Sequence, residues 1–221
     1  MKQYKGAIFD LDGTLLDSMR VWDDIDLAFL KKRGLAVPPD YQEAITPLGF
    51  LEAARYTIRR FGFSETPDEL MREWNQMAVD AYTHEVALKE SAAEYLHFLK
   101  KKGIRMAVAT SSNPELYEPA LKRNGIYECF DAFVTVSEVT RGKGFPDIYE
   151  KAAEKLSLLP EQCVVYEDIL TGIQGAKMGG FATVGVYDKS SEGNRAEMEQ
   201  MADRYVFSFD ELMKEGDSFF K

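Results

Sequence analysis

Asp10 and Asp12 stand one residue apart at the end of a short apolar run, GAIFD, and Gly13 follows at once. In an extended chain, side chains two apart project to the same side. Two ionised carboxylates about 5 Å apart repel by roughly 3 kcal/mol at an effective dielectric of about 20. A strand end with no further task gains nothing from that arrangement, so a cation or a shared proton is implied nearby. Three other candidate strand ends also close on polar groups. VATSSN brings Thr110, Ser111 and Ser112, TRGKGFPD brings Lys143, and VVYED brings Glu167 and Asp168. Ligands of open α/β sheets bind at the carboxyl ends of the strands. Hydroxyls, an ammonium and four carboxylates would thus converge from four places far apart in the chain.

The elements that must position them are legible as patterns. Short apolar runs at 6–10, 105–110, 132–136, 163–168, 182–187 and 204–207 read as strands, the first four buried on both faces. Between them, ESAAEYLHFLKKKG, PDIYEKAAEKL and GIQGAKMGG carry helix signals. Alternating strand and helix predicts an α/β fold, a doubly wound, Rossmann-like parallel sheet. Residues 18 to about 85 break the pattern, with apolar residues at helical spacing and no strand-like run. Thr66-Pro67-Asp68-Glu69 reads as a capping box with proline at the first helical position. A small all-helical domain, 18–85, is therefore expected as an insertion after the first strand, with 1–17 and 86–221 forming the catalytic core. Two linkers join them and can hinge. Trp22, Trp74 and the methionines of the insertion are expected to form its own core, with the alternative that Trp22 lines a substrate cavity facing Asp10.

Bulk composition excludes several classes. The net charge of −10, from 37 acidic and 27 basic residues, disfavours a nucleic-acid partner. No run approaches the ~18 apolar residues that cross a bilayer, and MKQYKGAIFD enters the first strand with no leader. Cys129 and Cys163 match no metal spacing and read as buried free thiols, as in a reducing cytoplasm. A soluble, cytoplasmic, monomeric protein is expected.

Each motif alone has a plainer reading. A calcium loop starting at Asp10 would need glycine where Leu15 stands and glutamate where Val21 stands, so that reading fails. Thr110, Ser111 and Ser112 could simply cap a helix before Pro114; Lys143 could be a solvated loop lysine, and Glu167-Asp168 a turn. His84 and His97 have no partner at metal-ligand spacing. The joint placement after strands is what argues for chemistry.

Taken together, the chain resembles the haloacid dehalogenase-like phosphohydrolases over nearly its whole length, in particular the branch of β-phosphoglucomutase-like enzymes. Asp10-Leu11-Asp12-Gly13-Thr14-Leu15 is similar to that family's first motif, Thr110-Ser111-Ser112 to its second, Lys143 to its third and Glu167-Asp168 to its fourth. The helical insertion looks like that branch's cap domain. The resemblance implies that Asp10 is a nucleophile forming an aspartyl-phosphate. It implies Mg²⁺ held by Asp10, the backbone carbonyl of Asp12, Asp168 and Glu167. Asp12 would protonate the leaving alkoxide and later activate water. Thr110, with the backbone at Ser111, would bind phosphoryl oxygens, and Lys143 would add fixed positive charge and restrain Asp10. Gly13 would let the backbone turn close to the metal.

The implied activity is a Mg²⁺-dependent phosphatase acting on a small phosphorylated metabolite, by analogy a sugar or polyol phosphate, with the cap choosing the substrate. The alternative is a hexose-phosphate mutase. Departures from the mutase pattern favour the phosphatase. Trp22 stands where an aligned mutase has histidine, and no arginine soon follows Gly49, although Arg55 could substitute. Ile169 replaces a serine found in many relatives, which implies altered hydrogen bonding around the metal ligands. A non-catalytic binding protein would show the loss of a catalytic residue, and none is lost. Dehalogenases lack the second aspartate, which is present as Asp12.

Overall fold

The computed structural model describes residues 4–45, 48–214 and 219–220. Residues 1–3, on which the expectation of no leader rests, lie outside them, as do Thr46 and Pro47. The six apolar runs form β1 (Gly6–Phe9), β2 (Arg105–Thr110), β3 (Ala132–Thr135), β4 (Cys163–Glu167), β5 (Ala182–Val186) and β6 (Arg204–Val206). They make one parallel sheet in the order β3-β2-β1-β4-β5-β6. The fold is α/β and Rossmann-like. β1, β4 and β5 are buried along their whole length, which is why their sequences run apolar without alternation.

The chain divides into two compact units, residues 1–19 with 86–221 and residues 20–85. The helical unit contains α1 (Val21–Lys32), α2 (Tyr41–Ile45), α3 (Phe50–Phe61) and α4 (Pro67–His84). The sheet unit contains α5 (Ala92–Lys101), α6 (Pro114–Arg123), α7 (Asp147–Lys155), α8 (Leu170–Met178), α9 (Arg195–Met201) and α10 (Asp210–Lys214). On one sheet face, Ile8, Ala107, Ala109, Cys163 and Val165 pack with Tyr149, Ala152 and Ala153 of α7 and Ala176 of α8. On the other, Phe9 stacks on Tyr166 with centroids 4.3 Å apart, and Tyr95 of α5 meets both rings. Cys129 and Cys163 are free and buried. Among the described residues no helix is long and apolar enough to cross a membrane.

Register decides what the strand ends present. Ile8 lies opposite Ala107 on β2 and Val165 on β4. Two residues further along, Asp10 and Glu167 therefore emerge side by side on the face covered by α7 and α8. After β1 the chain turns tightly, with the N–H groups of Thr14, Leu15 and Leu16 all donating to the Leu11 carbonyl at 2.8–3.2 Å. Gly13 sits in this turn at φ +83°, and a Cβ there would come within 2.2 Å of Asp168 Oδ2. Only glycine meets both demands. The outgoing and returning segments then pair with each other. Leu16 bridges Leu88 antiparallel, Asp17 N–H donates to Ala87 O, and Lys89 N–H donates to Leu15 O.

The helical unit has its own core, built on Ile25, Phe29, Leu30, Tyr41, Leu70, Trp74 and Tyr82. Its longest helix, α4, starts from the expected capping box: Thr66 N–H donates to Glu69 Oε2 at 2.8 Å and Glu69 N–H to Thr66 Oγ1 at 3.3 Å. Trp22 departs from expectation. It is 42% exposed rather than part of that core, its ring edge-on to the exposed Phe50 at 5.7 Å. The helix α2, five residues long, is also additional to the sequence reading.

Glycines of α8 let the site close. A Cβ on Gly175 would lie 2.1 Å from the backbone oxygen of Lys143 and 2.9 Å from that of Phe145. Backbone cannot yield there as a side chain can. Gly175→Ala is expected to destabilise the protein by about 1–3 kcal/mol in urea denaturation. Gly142→Ala, with open space around its position, should stay within about 0.5 kcal/mol of wild type. Equal effects of the two would contradict the close approach.

Candidate active site

Asp10, Glu167 and Asp168 are buried at the ends of β1 and β4 and offer oxygen atoms that all lie within 4.8 Å of one another. Lys143, on the loop before α7 and itself only 8% exposed, reaches into this group. Its ammonium pairs with Asp10 Oδ1 and with Glu167 Oε1, the latter at 2.8 Å. The Thr14 hydroxyl donates to Asp168 Oδ1 at 3.0 Å and lies 3.4 Å from Asp10 Oδ2. The Tyr149 phenol donates to Glu167 Oε1 at 2.8 Å. On its other side Glu167 abuts Gly172 of α8, where a Cβ would come within 2.4 Å of its carboxyl carbon.

The charges do not balance. Three buried carboxylates face one ammonium, leaving a formal charge of −2 if all are ionised. Burial pushes the Asp10 carboxyl up despite the nearby Lys143. It pushes Glu167 up to about 7 and Asp168 well above the ordinary carboxylate range. Burial alone would lower Lys143, but Asp10 and Glu167 facing it outweigh that and keep it firmly protonated. Without another cation the cluster must retain protons. Two of its oxygens, Glu167 Oε2 and Asp168 Oδ2, are buried with no hydrogen-bond partner. Orphaned acidic oxygens in a dry cluster with surplus negative charge suit a hard divalent cation. The donor set fits Mg²⁺.

Asp12 faces elsewhere. Ser18 Oγ donates to its Oδ1 at 2.6 Å, and Ser112 Oγ donates to its Oδ2. Ser112 N–H in turn donates to Thr110 Oγ1 at 3.0 Å. The structure thus brings Asp10, Lys143, Glu167 and Asp168 together directly. Asp12 and Thr110 are joined through Ser112, while Ser111 is exposed. Ile169 caps α8 with no side-chain hydrogen bond. His97 and His84 are exposed. Three participants had no role in the sequence reading: Thr14, which stood there only as part of the first motif, Ser18 and Tyr149. Thr14 and Ser18 carried a signal, a hydroxyl within eight residues of Asp10. Tyr149 carried none, since a tyrosine at helical spacing reads as core.

A family model described as haloacid dehalogenase-like hydrolase matches residues 4–180. Validoxylamine A 7'-phosphate phosphatase of Streptomyces hygroscopicus subsp. limoneus is 30% identical over 183 residues, covering 83% of this chain and 85% of that protein. Hexitol phosphatase A of Escherichia coli is 30% identical over 188 residues, covering 82% of each. A crystal structure of a provisional beta-phosphoglucomutase from Thermotoga maritima superposes with a TM-score of 0.85 at 25% identity, covering 96% of this chain and 99% of that one.

Removing the ammonium tests the charge balance. Lys143→Met leaves Asp10 and Glu167 buried without a counter-charge, and the metal-free protein should lose about 3–5 kcal/mol at pH 7.5. Glu167 titrates near 7 when folded, against about 4.3 in an unfolded chain. Between those values the folded state holds more protons, so this group's contribution falls as pH rises. The loss caused by the substitution should therefore shrink at pH 5, where the carboxyls are protonated. Urea denaturation at the two pH values measures it; equal losses would contradict the arrangement.

Proposed function

Because the chain belongs to the haloacid dehalogenase-like hydrolase family, we propose that it is a Mg²⁺-dependent phosphatase of small phosphorylated metabolites, most suited to a sugar or polyol phosphate. The observation that carries this reading is Lys143 wedged between Asp10 and Glu167 beside two orphaned acidic oxygens. The named activities of the two phosphatase relatives support the substrate class. Substrate choice is assigned to residues 20–85, since the core motifs supply chemistry common to any phosphate monoester. Free, buried cysteines support a reducing, cytoplasmic setting.

Asp10, Glu167, Asp168 and the backbone carbonyl of Asp12 would hold the metal. When bound, Mg²⁺ supplies the positive charge that lets a carboxylate approach a phosphate anion. A carboxylate oxygen of Asp10 attacks phosphorus as the bond to the leaving alkoxide breaks, and Asp12 gives that oxygen its proton. In the second step Asp12 takes a proton from water. The water oxygen attacks phosphorus, the acyl-phosphate P–O bond breaks, and inorganic phosphate leaves with Asp10 restored. Lys143 holds Asp10 in place and adds fixed positive charge. Thr110 and the backbone at Ser111 are assigned to phosphoryl oxygens. Ser18 and Ser112 fix the two oxygens of Asp12, so the proton carrier has a defined orientation.

Purified protein with Mg²⁺ should release inorganic phosphate from at least one member of a panel of sugar and polyol phosphates. Asp10→Asn should lower that rate by at least about 10³-fold, and EDTA should abolish it. Conversion of β-glucose 1-phosphate with no net phosphate release would favour a mutase instead. No release above the Asp10→Asn background would overturn the reading.

A further inference from the structure

Glu167 accepts a hydrogen bond from a residue that lies in none of the four motifs. Both donors to its side chain fall on the same oxygen, Oε1: the Tyr149 phenol at 2.8 Å and the Lys143 ammonium at 2.8 Å. The other oxygen, Oε2, is buried with no partner, and a Cβ on Gly172 would meet it at 2.5 Å. Swinging the carboxylate away would leave the buried Tyr149 phenol without this acceptor and Lys143 with Asp10 alone, which is costly in a dry interior. We propose that Tyr149 is a positioning residue for the cation site, holding the Glu167 carboxylate in place beside Asp10 and Asp168.

Lys143 is poorly suited to set that orientation by itself. Its ammonium is shared with Asp10 and sits on a flexible four-carbon stem. Tyr149 is fully buried, on a helix whose Ile148, Ala152 and Ala153 pack in the same core cluster against the sheet. A ring with two rotatable bonds, clamped on that face, delivers its hydroxyl to one place. The phenol hydroxyl donates to the carboxylate, which can only accept when ionised. Outer hydrogen-bond partners of metal ligands commonly change affinity by about 10–100-fold when removed.

The inference rests on reading the acidic cluster as a Mg²⁺ site, and the test separates the two. Mg²⁺ binding to metal-stripped protein is measured by calorimetry for wild type, Tyr149→Phe, Glu167→Gln and the double variant. Phenylalanine keeps the ring packing, and near-UV circular dichroism checks that the fold is retained. Tyr149→Phe should raise the Mg²⁺ dissociation constant about tenfold. The double variant should bind within about twofold of Glu167→Gln alone, because Tyr149 acts only through Glu167. Wild-type affinity in Tyr149→Phe, or a double variant weakened by the product of the two single effects, overturns the inference and leaves the phosphatase reading standing. Absence of Mg²⁺ binding by wild type overturns both.

Discussion

Three buried carboxylates share a single ammonium, and the surrounding structure is organised around that imbalance. Asp10 and Glu167 reach it from adjacent parallel strands because their register places them on the same sheet face. Asp168 follows one residue later, and Lys143 arrives on the loop that leads into α7. Removing three acids from water is unfavourable unless cations compensate. One lysine does part of this. The remainder is held over as raised proton affinity and two unpaired oxygens, a state that a divalent cation relieves and an apolar core would never require.

Glycines make the crowding sterically feasible. At 13, 172 and 175 a Cβ would fall within 2.5 Å of Asp168, Glu167 and the Lys143 backbone respectively. Each marks a point where chain must approach acid or acid must approach helix. The turn at Gly13 does more, since its left-handed backbone also sends the chain out toward the helical insertion and back beside Leu88. Chemistry and domain insertion therefore start from one tight turn. The overall charge of −10 would be no obstacle to an anionic substrate, because such a substrate would meet the local field of Lys143 and of a cation held by the cluster rather than the net charge.

Much of this was legible in the chain. Strands buried on both faces announce themselves as apolar runs, and polar residues that end four of them mark the carboxyl edge of the sheet. The DxDG sequence pointed to a cation nearby, but its same-side argument did not hold, because the strand ends at Phe9 and Asp12 turns to Ser18 and Ser112. Other features were hidden for physical reasons. Helical periodicity shows that Trp22 lies on an apolar stripe, but nothing local says whether another element covers it, and it stands exposed. A five-residue helix such as α2 is too short to carry a period. Hydroxyl donors at 14, 18 and 149 gain meaning only from the carboxylates they touch, which are distant in sequence for Thr14 with Asp168 and for Tyr149 with Glu167.

The metal-free cluster keeps protons that a divalent cation would displace. Calorimetric titration of Mg²⁺ at pH 7 in buffers of different ionisation enthalpy counts the protons released. The heats should vary with the buffer, corresponding to release of on the order of one proton per ion. Heats independent of the buffer, with Mg²⁺ still binding, would contradict it.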